Sequence, residues 1–233
     1  MTFHFDFHIH SCLSPCADND MTPENIAGMA YLNGLQAVAL TDHNSCKNCE
    51  AFLHALKKYN IFGICGMELT TSEEVHVLCL FPTLEDAMDF DRYVEEHTLP
   101  FPNDPRFFGN QLLYGPEDTP LGEYEHALVS ASMISFSEVP DAVKKFHGIH
   151  IPAHLDRHSN SLLSNLGFIP EDSSFDIYEL HDMQTQPEIL SKHPQLESLR
   201  CITNSDAHKL HLLKDNTSES MRVDSPDFQD LFK

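Results

Sequence analysis

The sequence is short of basic residues and has no long apolar run. It contains 14 Lys and Arg against 36 Asp and Glu, which gives a formal net charge of -22. Because such an acidic surface repels a phosphate backbone, this balance argues against a long nucleic acid as a partner. No apolar segment is long enough to cross a membrane, and no signal peptide precedes the first predicted strand. We therefore expect a cytoplasmic protein with no membrane partner.

The sequence also lacks a glycine-rich phosphate loop and an internal repeat, whereas histidine is abundant. There are sixteen histidines, and histidine is both the commonest metal ligand and the usual acid or base near neutral pH. The seven cysteines are an odd number, which favours free thiols. A zinc knuckle could be formed by Cys12, Cys16, Cys46 and Cys49, but buried or loop thiols are the simpler interpretation.

The first stretch of the chain alternates apolar and polar residues. Residues 3–10 read Phe-His-Phe-Asp-Phe-His-Ile-His. In a strand, residues two apart share a face, so this pattern predicts an apolar back and a polar front. His8 and His10 then lie at the C-terminal end of the strand, close enough together to bind one metal ion.

Further along the chain, short apolar segments alternate with helical patterns. The predicted strands are 35–40, 61–64, 74–81, 149–153, 175–180, 200–203 and 221–223, and the predicted helices are 22–34, 46–59, 83–97, 123–148, 159–166, 187–193 and 227–233. Roughly seven strand–helix units are typical of an α/β barrel with helices outside. Residues 98–123 contain five prolines and three glycines, which predicts an irregular insertion or lid.

Side chains that bind metals recur at one position in this pattern. They lie at or just after the ends of predicted strands: His8 and His10, His43, Glu68, His154, and Asp206 with His208. In a barrel these ends form a single rim, where active sites are built. Residues far apart in sequence should therefore converge, which predicts a multinuclear metal site.

Five short motifs resemble those of the PHP family (polymerase and histidinol phosphatase domains), in the family's order. They are Phe-His-Ile-His-Ser at 7–11, Thr-Asp-His-Asn at 41–44, Gly-Met-Glu at 66–68, Pro-Ala-His-Leu-Asp-Arg at 152–157 and Ser-Asp-Ala-His at 205–208. The resemblance implies a distorted (β/α)7 TIM-like barrel, with one domain over residues 1–233 and up to three metals at the C-terminal rim.

The same resemblance implies three sets of ligands, each for one metal ion. The sets are His8, His10, Glu68 and Asp206; Glu68, His76 and His154; and Asp18, His43 and His208. Asp20 is an alternative to Asp18, and His76 could instead be structural. Mixed imidazole and carboxylate ligands suit zinc, iron or manganese better than magnesium or calcium, so we expect two to three such ions.

Cationic and histidine side chains near the rim are candidates for contact with a substrate. Arg157 and Lys209 could neutralise a phosphate, and the planar guanidinium suits a bidentate contact. His158 and His181 also lie on the predicted rim, where either could protonate a leaving oxygen. The predicted catalytic residues are Glu68, Asp206, Arg157 and His181, and the predicted substrate contacts are Arg157, His158 and Lys209.

These inferences together predict a metal-dependent phosphoesterase. We expect a metal-activated water to hydrolyse a small phosphorylated substrate, such as a nucleotide, a sugar phosphate or a compound like histidinol phosphate, and to release phosphate. A nuclease for short oligonucleotides is one alternative, and a non-catalytic metal-binding module is another. An amidohydrolase-like C–N hydrolase is a third, although the sequence has no lysine at a strand end to serve as its bridging ligand.

Overall fold

The computed structural model of the protein describes residues 2–171, 173–217, 220–222 and 227–232. Within these residues the strands are β1 (Thr2–Asp6), β2 (Ala37–His43), β3 (Phe62–Thr70), β4 (His76–Phe81), β5 (Leu112–Gly115), β6 (Thr119–Glu123), β7 (Ile149–Pro152), β8 (Ile177–Leu180), β9 (Arg200–Thr203) and β10 (Ser220–Arg222). The α-helices are α1 (Pro23–Leu32), α2 (Cys49–Lys57), α3 (Leu84–Glu96), α4 (Val139–Lys145), α5 (Leu162–Asn165), α6 (Gln186–Lys192) and α7 (Phe228–Leu231).

The main sheet is curled into a half-barrel. Its strands run in the order β10-β1-β2-β3-β4-β7, while β8 and β9 form a separate parallel pair and β5 and β6 a hairpin. Pairing is parallel from β1 to β2 and from β2 to β3. A bridge between Ile9 and Ala207 joins the segments that follow β1 and β9. This arrangement confirms the predicted α/β fold with a distorted barrel.

Two strands of the main sheet run against the predicted parallel order: β10 pairs antiparallel with β1, and β4 with β3. Only five residues separate β3 from β4, too few for a crossover helix, so the two strands pair antiparallel with Thr70 opposite His76. The first residue of β4 consequently lies at the same end of the sheet as the last residue of β3. Because β4 runs in the opposite direction to β3, its first residue, His76, lies at the rim where β3 ends.

The core of the half-barrel is filled by alternate residues of the strands. An inner cluster contains Phe3, Phe5, Phe7, Ala37, Ala39, Ile64, Leu78, Leu80, Ile151, Ile177 and Ile202. Ile9, predicted to share this face, packs instead in the larger cluster formed with the helices. The reason is that the predicted strand 3–10 ends at Asp6: the backbone N–H of Phe7 donates to Asn204 Oδ1 at 2.8 Å.

Residues 123–148 are less helical than predicted. Only Phe136–Glu138, a 3-10 turn, and α4 are helical, and the preceding residues form loops. Those loops are held by partners elsewhere: Asn44 Nδ2 donates to the carbonyls of Leu128 and Ser130, and Ser132 N donates to Thr70 O. Because these long-range contacts satisfy the backbone groups, no local helix is needed.

The remaining expectations concern the insertion, the chain end and the membrane. Residues 98–111 lack helices and strands, whereas β5 and β6 form a hairpin in 112–123. Val223 of the predicted edge strand and Lys233 of the predicted last helix lie outside the described residues. Across the described ranges, every helix is too short or too polar to cross a membrane.

Candidate metal centre

Imidazole and carboxylate side chains from several strand ends meet at one edge of the sheet. The side chains that meet there are His8, His10, His43, Glu68, His76, His154, Asp206 and His208. His8 and His10 follow β1, His43 ends β2, Glu68 lies near the end of β3, and Asp206 follows β9. The predicted convergence of these residues is therefore present, while their role as ligands stays a prediction.

Glu68 is buried at the centre of this cluster. Five imidazole nitrogens surround its carboxylate: His8 Nε2 at 3.3 Å, His10 Nε2 at 3.3 Å, His43 Nδ1 at 3.1 Å, His76 Nδ1 at 2.8 Å and His154 Nε2 at 3.0 Å. Both oxygens take part, because Oε1 faces His76 and His154 while Oε2 faces His10 and His43. A carboxylate surrounded in this way is placed to bridge two ions.

Asp206 closes the cluster on the side of β9. Its Oδ1 lies 3.4 Å from His8 Nε2 and 3.2 Å from His10 Nε2, and its Oδ2 lies 3.0 Å from the Arg157 guanidinium. Asp206 and His154 adopt positive φ angles of 50° and 32°. Such left-handed conformations are unfavourable for residues other than glycine and persist where the surroundings enforce them, as they do at functional sites.

Several buried atoms of the cluster make no hydrogen bond of acceptable geometry among the described residues, although carboxylate oxygens lie 3.1–3.4 Å from three of the nitrogens. They are His8 Nε2, His10 Nε2, His43 Nδ1, His154 Nδ1 and Asp206 Oδ1. Buried polar atoms are normally hydrogen-bonded, so each such exception needs an explanation. Three groups of ligand atoms each lie within 4.8 Å of one another: His8, His10, Glu68 and Asp206; His43, Glu68 and His76; and His10, His43 and His208. The unpaired atoms and the mixed nitrogen and oxygen donors both fit bound divalent ions.

Glu179 orients His8, and sequence analysis missed it. Its carboxylate accepts from His8 Nδ1 at 3.0 Å, from the backbone N–H of His154 at 3.0 Å and from Asn204 Nδ2 at 2.7 Å. Since a carboxylate only accepts, Nδ1 of His8 carries the proton and Nε2 is left for a metal. The signal available in the sequence was a single carboxylate inside the otherwise apolar strand β8.

Ser14 orients His10 as Glu179 orients His8. It lies in residues 11–21, which we call the rim loop. The Ser14 hydroxyl donates to Asp42 Oδ1 at 2.7 Å, so it accepts from His10 Nδ1 at 2.9 Å. It also accepts from the backbone N–H of His43 at 3.1 Å. Asp42 further accepts from the backbone N–H and the hydroxyl of Ser11, both at 2.7 Å. This network frees Nε2 of His10 and ties the loop to the end of β2.

The carboxylates also change the proton affinity of the histidines. Burial alone would lower the pKa of His10, but Asp206 and Glu68 raise it from 6.5 to about 9. The pKa of His43 is likewise raised to about 9, against the effects of burial and of the His10 charge. Burial and the His10 charge lower the pKa of His208 to about 3. Metal ions and protons therefore compete for this cluster, because imidazole binds a metal only when it is neutral.

A small cavity opens onto the cluster. Its volume is about 160 Å³, and it is lined by His43, Glu68, His76, His154, Arg157, Ser159, Asn160, Asp206 and His208. The Arg157 guanidinium reaches this wall between Asp206 Oδ2, at 3.0 Å, and His181 Nδ1, at 3.2 Å. The cavity thus combines the ligand cluster with one cation and two uncharged polar residues, Ser159 and Asn160.

The remaining predicted residues lie outside the cluster. Asp18 is half exposed, with its carboxylate 3.7 Å from Lys209 Nζ, and among the described residues it joins none of the ligand groups. Asp20, His158 and Lys209 are also exposed. His181 is exposed as well but contacts Arg157. The structure therefore places Arg157 in the cavity wall and His181 in contact with Arg157, and it leaves the other candidates at the surface.

An α/β half-barrel with a buried cluster of histidine and carboxylate ligands at its rim defines a metal-dependent hydrolase. A family model described as the PHP domain matches residues 6–175. The chain belongs to the PHP family, as the sequence motifs predicted. That residues 1–233 form a single domain stays a prediction. A comparison with curated proteins gave no significant match.

Solved structures share the fold. Endonuclease Q from Pyrococcus furiosus, a lesion-specific endonuclease, has 21% identity and a TM-score of 0.69 over 100% of this chain and 55% of that chain. Endonuclease Q bound to a 27-mer duplex with an abasic lesion has 20% identity and a TM-score of 0.70, over 100% and 56%. A protein assigned to the metal-dependent phosphoesterases, from Bifidobacterium adolescentis, has 19% identity and a TM-score of 0.61, over 91% and 93%. The chain thus spans little more than half of the endonuclease Q structures.

The prediction about partners was wrong where it argued against a long nucleic acid. It relied on the net charge of -22, but a fold shared over the entire chain is found in an endonuclease crystallised on duplex DNA. Total charge is a poor guide here because cations bound at the rim would change the local potential that a phosphate meets. Nucleic acid therefore has to be considered as a substrate.

Proposed function

We propose that the protein hydrolyses phosphoester bonds in a metal-dependent reaction, with nucleic-acid phosphodiesters as the first substrate class to test. The observation that carries the proposal is the cavity in which the Arg157 guanidinium faces a buried ligand cluster built around Glu68. The likeness in fold to endonuclease Q, and to the protein from Bifidobacterium adolescentis that is assigned to the metal-dependent phosphoesterases, supports it.

The metal ions would be held by the three predicted ligand sets, two of which share Glu68; in the third set, with His43 and His208, Asp18 is half exposed. We propose two to three ions of zinc, iron or manganese, because the donors are imidazole nitrogens and carboxylate oxygens. Bound ions supply a water that is acidic enough to attack at neutral pH and positive charge that offsets the charge of the reacting phosphoryl group. Glu179 and Ser14 keep His8 and His10 in the tautomers that bind.

Arg157 is proposed to bind the phosphoryl group. One of its nitrogens is engaged by Asp206 and His181, and the guanidinium carries further N–H groups in its planar fork. These can donate to non-bridging phosphoryl oxygens in the cavity, where Ser159 and Asn160 add polar contacts. Arg157 therefore both orients the substrate and neutralises part of its charge.

His181 is proposed to protonate the leaving oxygen. Because an arginine only donates, His181 Nδ1 accepts from Arg157 and the proton of the neutral ring sits on Nε2. That nitrogen is the one left to donate to a leaving group. Since His181 is exposed, it can recover the proton from solvent.

The size of the cavity limits what it can recognise. Its volume of about 160 Å³ is below the range of roughly 300–1,000 Å³ that is typical of drug-sized ligand pockets. It has room for a phosphoryl group and little else, so the remainder of the substrate must lie outside it. A phosphodiester within a longer chain meets this requirement, and so does a compact phosphate monoester.

The test is a panel of substrates assayed with the chelator-treated and metal-restored protein. The panel contains single-stranded and duplex DNA, duplex DNA with an abasic site, nucleotides, sugar phosphates and simple amides. We expect cleavage of phosphoesters that falls roughly 10³-fold in Glu68→Gln. Glu125→Gln is the matched control, since the Glu125 side chain is 85% exposed.

Each rival function predicts a different result from this panel. Hydrolysis of amides but not of phosphoesters would overturn the proposal in favour of a C–N hydrolase. Full metal occupancy without any turnover would favour the non-catalytic module. The cytoplasmic location expected from the sequence stays a prediction.

A further inference from the structure

The turn after β7 contacts the turn after β8 through two consecutive residues, Asp156 and Arg157. The Arg157 guanidinium donates to His181 Nδ1 at 3.2 Å. The Asp156 carboxylate accepts from the backbone N–H of His181 at 2.7 Å and from that of Asp182 at 2.8 Å. The ring and the backbone of His181 are therefore held by neighbouring residues of one turn. Among the described residues Asp156 joins none of the ligand groups, so its part in the site is separate from metal binding.

Both oxygens of the Asp156 carboxylate are engaged by the turn after β8. Oδ1 accepts from the N–H of His181, while Oδ2 accepts from the N–H of Asp182 and from the Thr185 hydroxyl at 3.1 Å. Hydrogen bonds to an ionised carboxylate are roughly twice as strong as those between neutral groups. Surface loops are the more mobile parts of a protein, so these contacts give an exposed residue such as His181 a defined position.

The same two turns adjoin the cavity. Leu155 N donates to Glu179 O at 2.9 Å, which joins the residues after β7 to β8. Arg157 lines the cavity, and the His181 ring contacts that wall at the Arg157 guanidinium. Because Asp156 holds the backbone to which this ring is attached, the place where the ring meets Arg157 depends on Asp156.

We propose that Asp156 is a positioning residue for His181, and that it holds the His181 backbone where Nε2 of the ring reaches the leaving oxygen of the substrate. The inference rests on the proposed function, in which the Nε2–H proton of His181 passes to that oxygen. A general acid has to lie within hydrogen-bond distance of the atom that it protonates, and a misplacement of about 1 Å can lower a rate about 100-fold. In this role Asp156 acts through His181 and makes no contact with the substrate.

Replacing Asp156 by Asn tests these contacts with little change in size. A carboxylate only accepts, whereas an amide has one oxygen that accepts and one nitrogen that donates. The variant must leave the N–H of His181 or that of Asp182 facing another donor, so the turn has to move. We expect kcat to fall about 10–100-fold while KM and bound metal stay unchanged. Asp104→Asn is the matched control and should keep the wild-type kcat, since Asp104 also accepts from a backbone N–H and a side chain but lies in the insertion.

A double-mutant cycle with His181→Ala separates positioning from a general structural role. If Asp156 acts through His181, Asp156→Asn should change kcat less than about twofold in the His181→Ala background, because residues that act as one unit are not additive. An equal loss of kcat in the presence and absence of the His181 ring would overturn the proposal. Wild-type kcat in Asp156→Asn alone would overturn it as well.

Amide hydrogen exchange measures the contacts of Asp156 without reading hydrolysis. In the wild-type protein the amides of His181 and Asp182 should exchange slowly, and Asp156→Asn should speed the exchange of at least one of them about tenfold, because a charge-assisted hydrogen bond is lost. Unprotected amides in the wild type would overturn the proposal. Protected amides in a protein that cleaves no phosphoester would refute only the proposed function and would keep Asp156 as the residue that fixes His181.

Discussion

Replacing Glu179 by Gln should weaken metal binding although Glu179 belongs to none of the predicted ligand sets. Its carboxylate accepts from His8 Nδ1, from the backbone N–H of His154 and from Asn204 Nδ2, with both oxygens in use. A glutamine amide has one acceptor oxygen, and its other terminal atom is a donor. The variant must therefore leave at least one buried donor facing another donor.

The size of the effect follows from these contacts. A buried donor left without an acceptor costs about 1–3 kcal/mol of unfolding free energy. Loss of the partner that orients a metal-binding histidine typically weakens metal affinity about 10–100-fold. That range corresponds to about 1.4–2.8 kcal/mol, since each tenfold change in affinity is about 1.4 kcal/mol.

Two titrations measure this outcome. Urea unfolding of the chelator-treated protein gives the change in unfolding free energy, and zinc titration against a competing chelator gives the change in affinity. Glu125→Gln is the matched control, because that side chain is exposed and its nearest cation candidate, His126, is 3.9 Å away. We expect the control to match the wild type in both titrations.

Wild-type zinc affinity in Glu179→Gln would refute a role for Glu179 in metal binding. It would then follow that His8 needs no fixed tautomer, or that His8 is not a ligand. A variant that loses stability but keeps its zinc affinity would assign Glu179 a purely structural role. Unchanged affinity in Glu179→Gln together with a loss in His8→Ala would retain His8 as a ligand and reject only its dependence on Glu179.

Three further predictions concern pH, substrate binding and the rim loop. In the metal-free fold the pKa values of His10 and His43 are raised from 6.5 to about 9, so protonation of these imidazoles stabilises the fold. This contribution is complete below pH 6.5 and is lost as the pH rises through 9. The lowered pKa of His208, about 3, disfavours the fold as pH falls from 6.5 toward 3, so the stability of metal-free protein from these three groups should peak near pH 6.5 in urea titrations. Arg157→Lys should reduce kcat/KM for phosphoesters about 100-fold while metal content stays constant, because an ammonium lacks the planar fork. Gly109→Ala should lower the unfolding free energy on the order of 1–3 kcal/mol, because its positive φ and its close approach to the rim loop exclude a Cβ.

Controls distinguish these predicted effects from a general loss of folding in the variants. Zinc-loaded protein should lose the pH dependence above 6.5, since the metal replaces the protons; an unchanged profile would place the titrating groups elsewhere. Arg92→Lys is the control for Arg157→Lys, because Arg92 is exposed on α3, and equal activity of the two variants would remove Arg157 from the substrate site. If Gly109→Ala is as stable as the wild type, the rim loop is not held from outside as we describe.

The cluster could largely be predicted from the sequence because its members follow a simple topological rule. His43, His154 and Asp206 come at the ends of short apolar segments, and parallel strands end at one rim. His76 is harder to assign to the rim, because it begins a strand instead of ending one. The short connection between β3 and β4 makes the two strands antiparallel, so the start of β4 lies at the same rim as the end of β3. In both cases local pattern and chain connectivity are enough to locate the residue.

The parts that could not be predicted depend on long-range contacts. In the sequence Glu179 resembles an ordinary strand residue, and only the structure shows its contacts with His8 and Asn204. The loops before α4 look helical in composition, but their backbone groups bond to β3 and to Asn44. The family resemblance implied Asp18 as a ligand, whereas its carboxylate is half exposed and lies 3.7 Å from Lys209 Nζ. Spacing along the chain does not encode these partners.

The central claim is that phosphoester hydrolysis depends on metal ions at the histidine and carboxylate cluster. The most direct test restores chelator-treated protein with zinc, manganese or iron and measures bound metal by elemental analysis and phosphoester cleavage on the same samples. We predict that cleavage is absent without metal, rises with occupancy and reaches its maximum at two to three ions per chain. Cleavage that persists without metal, or full occupancy of the cluster without cleavage, would contradict the claim.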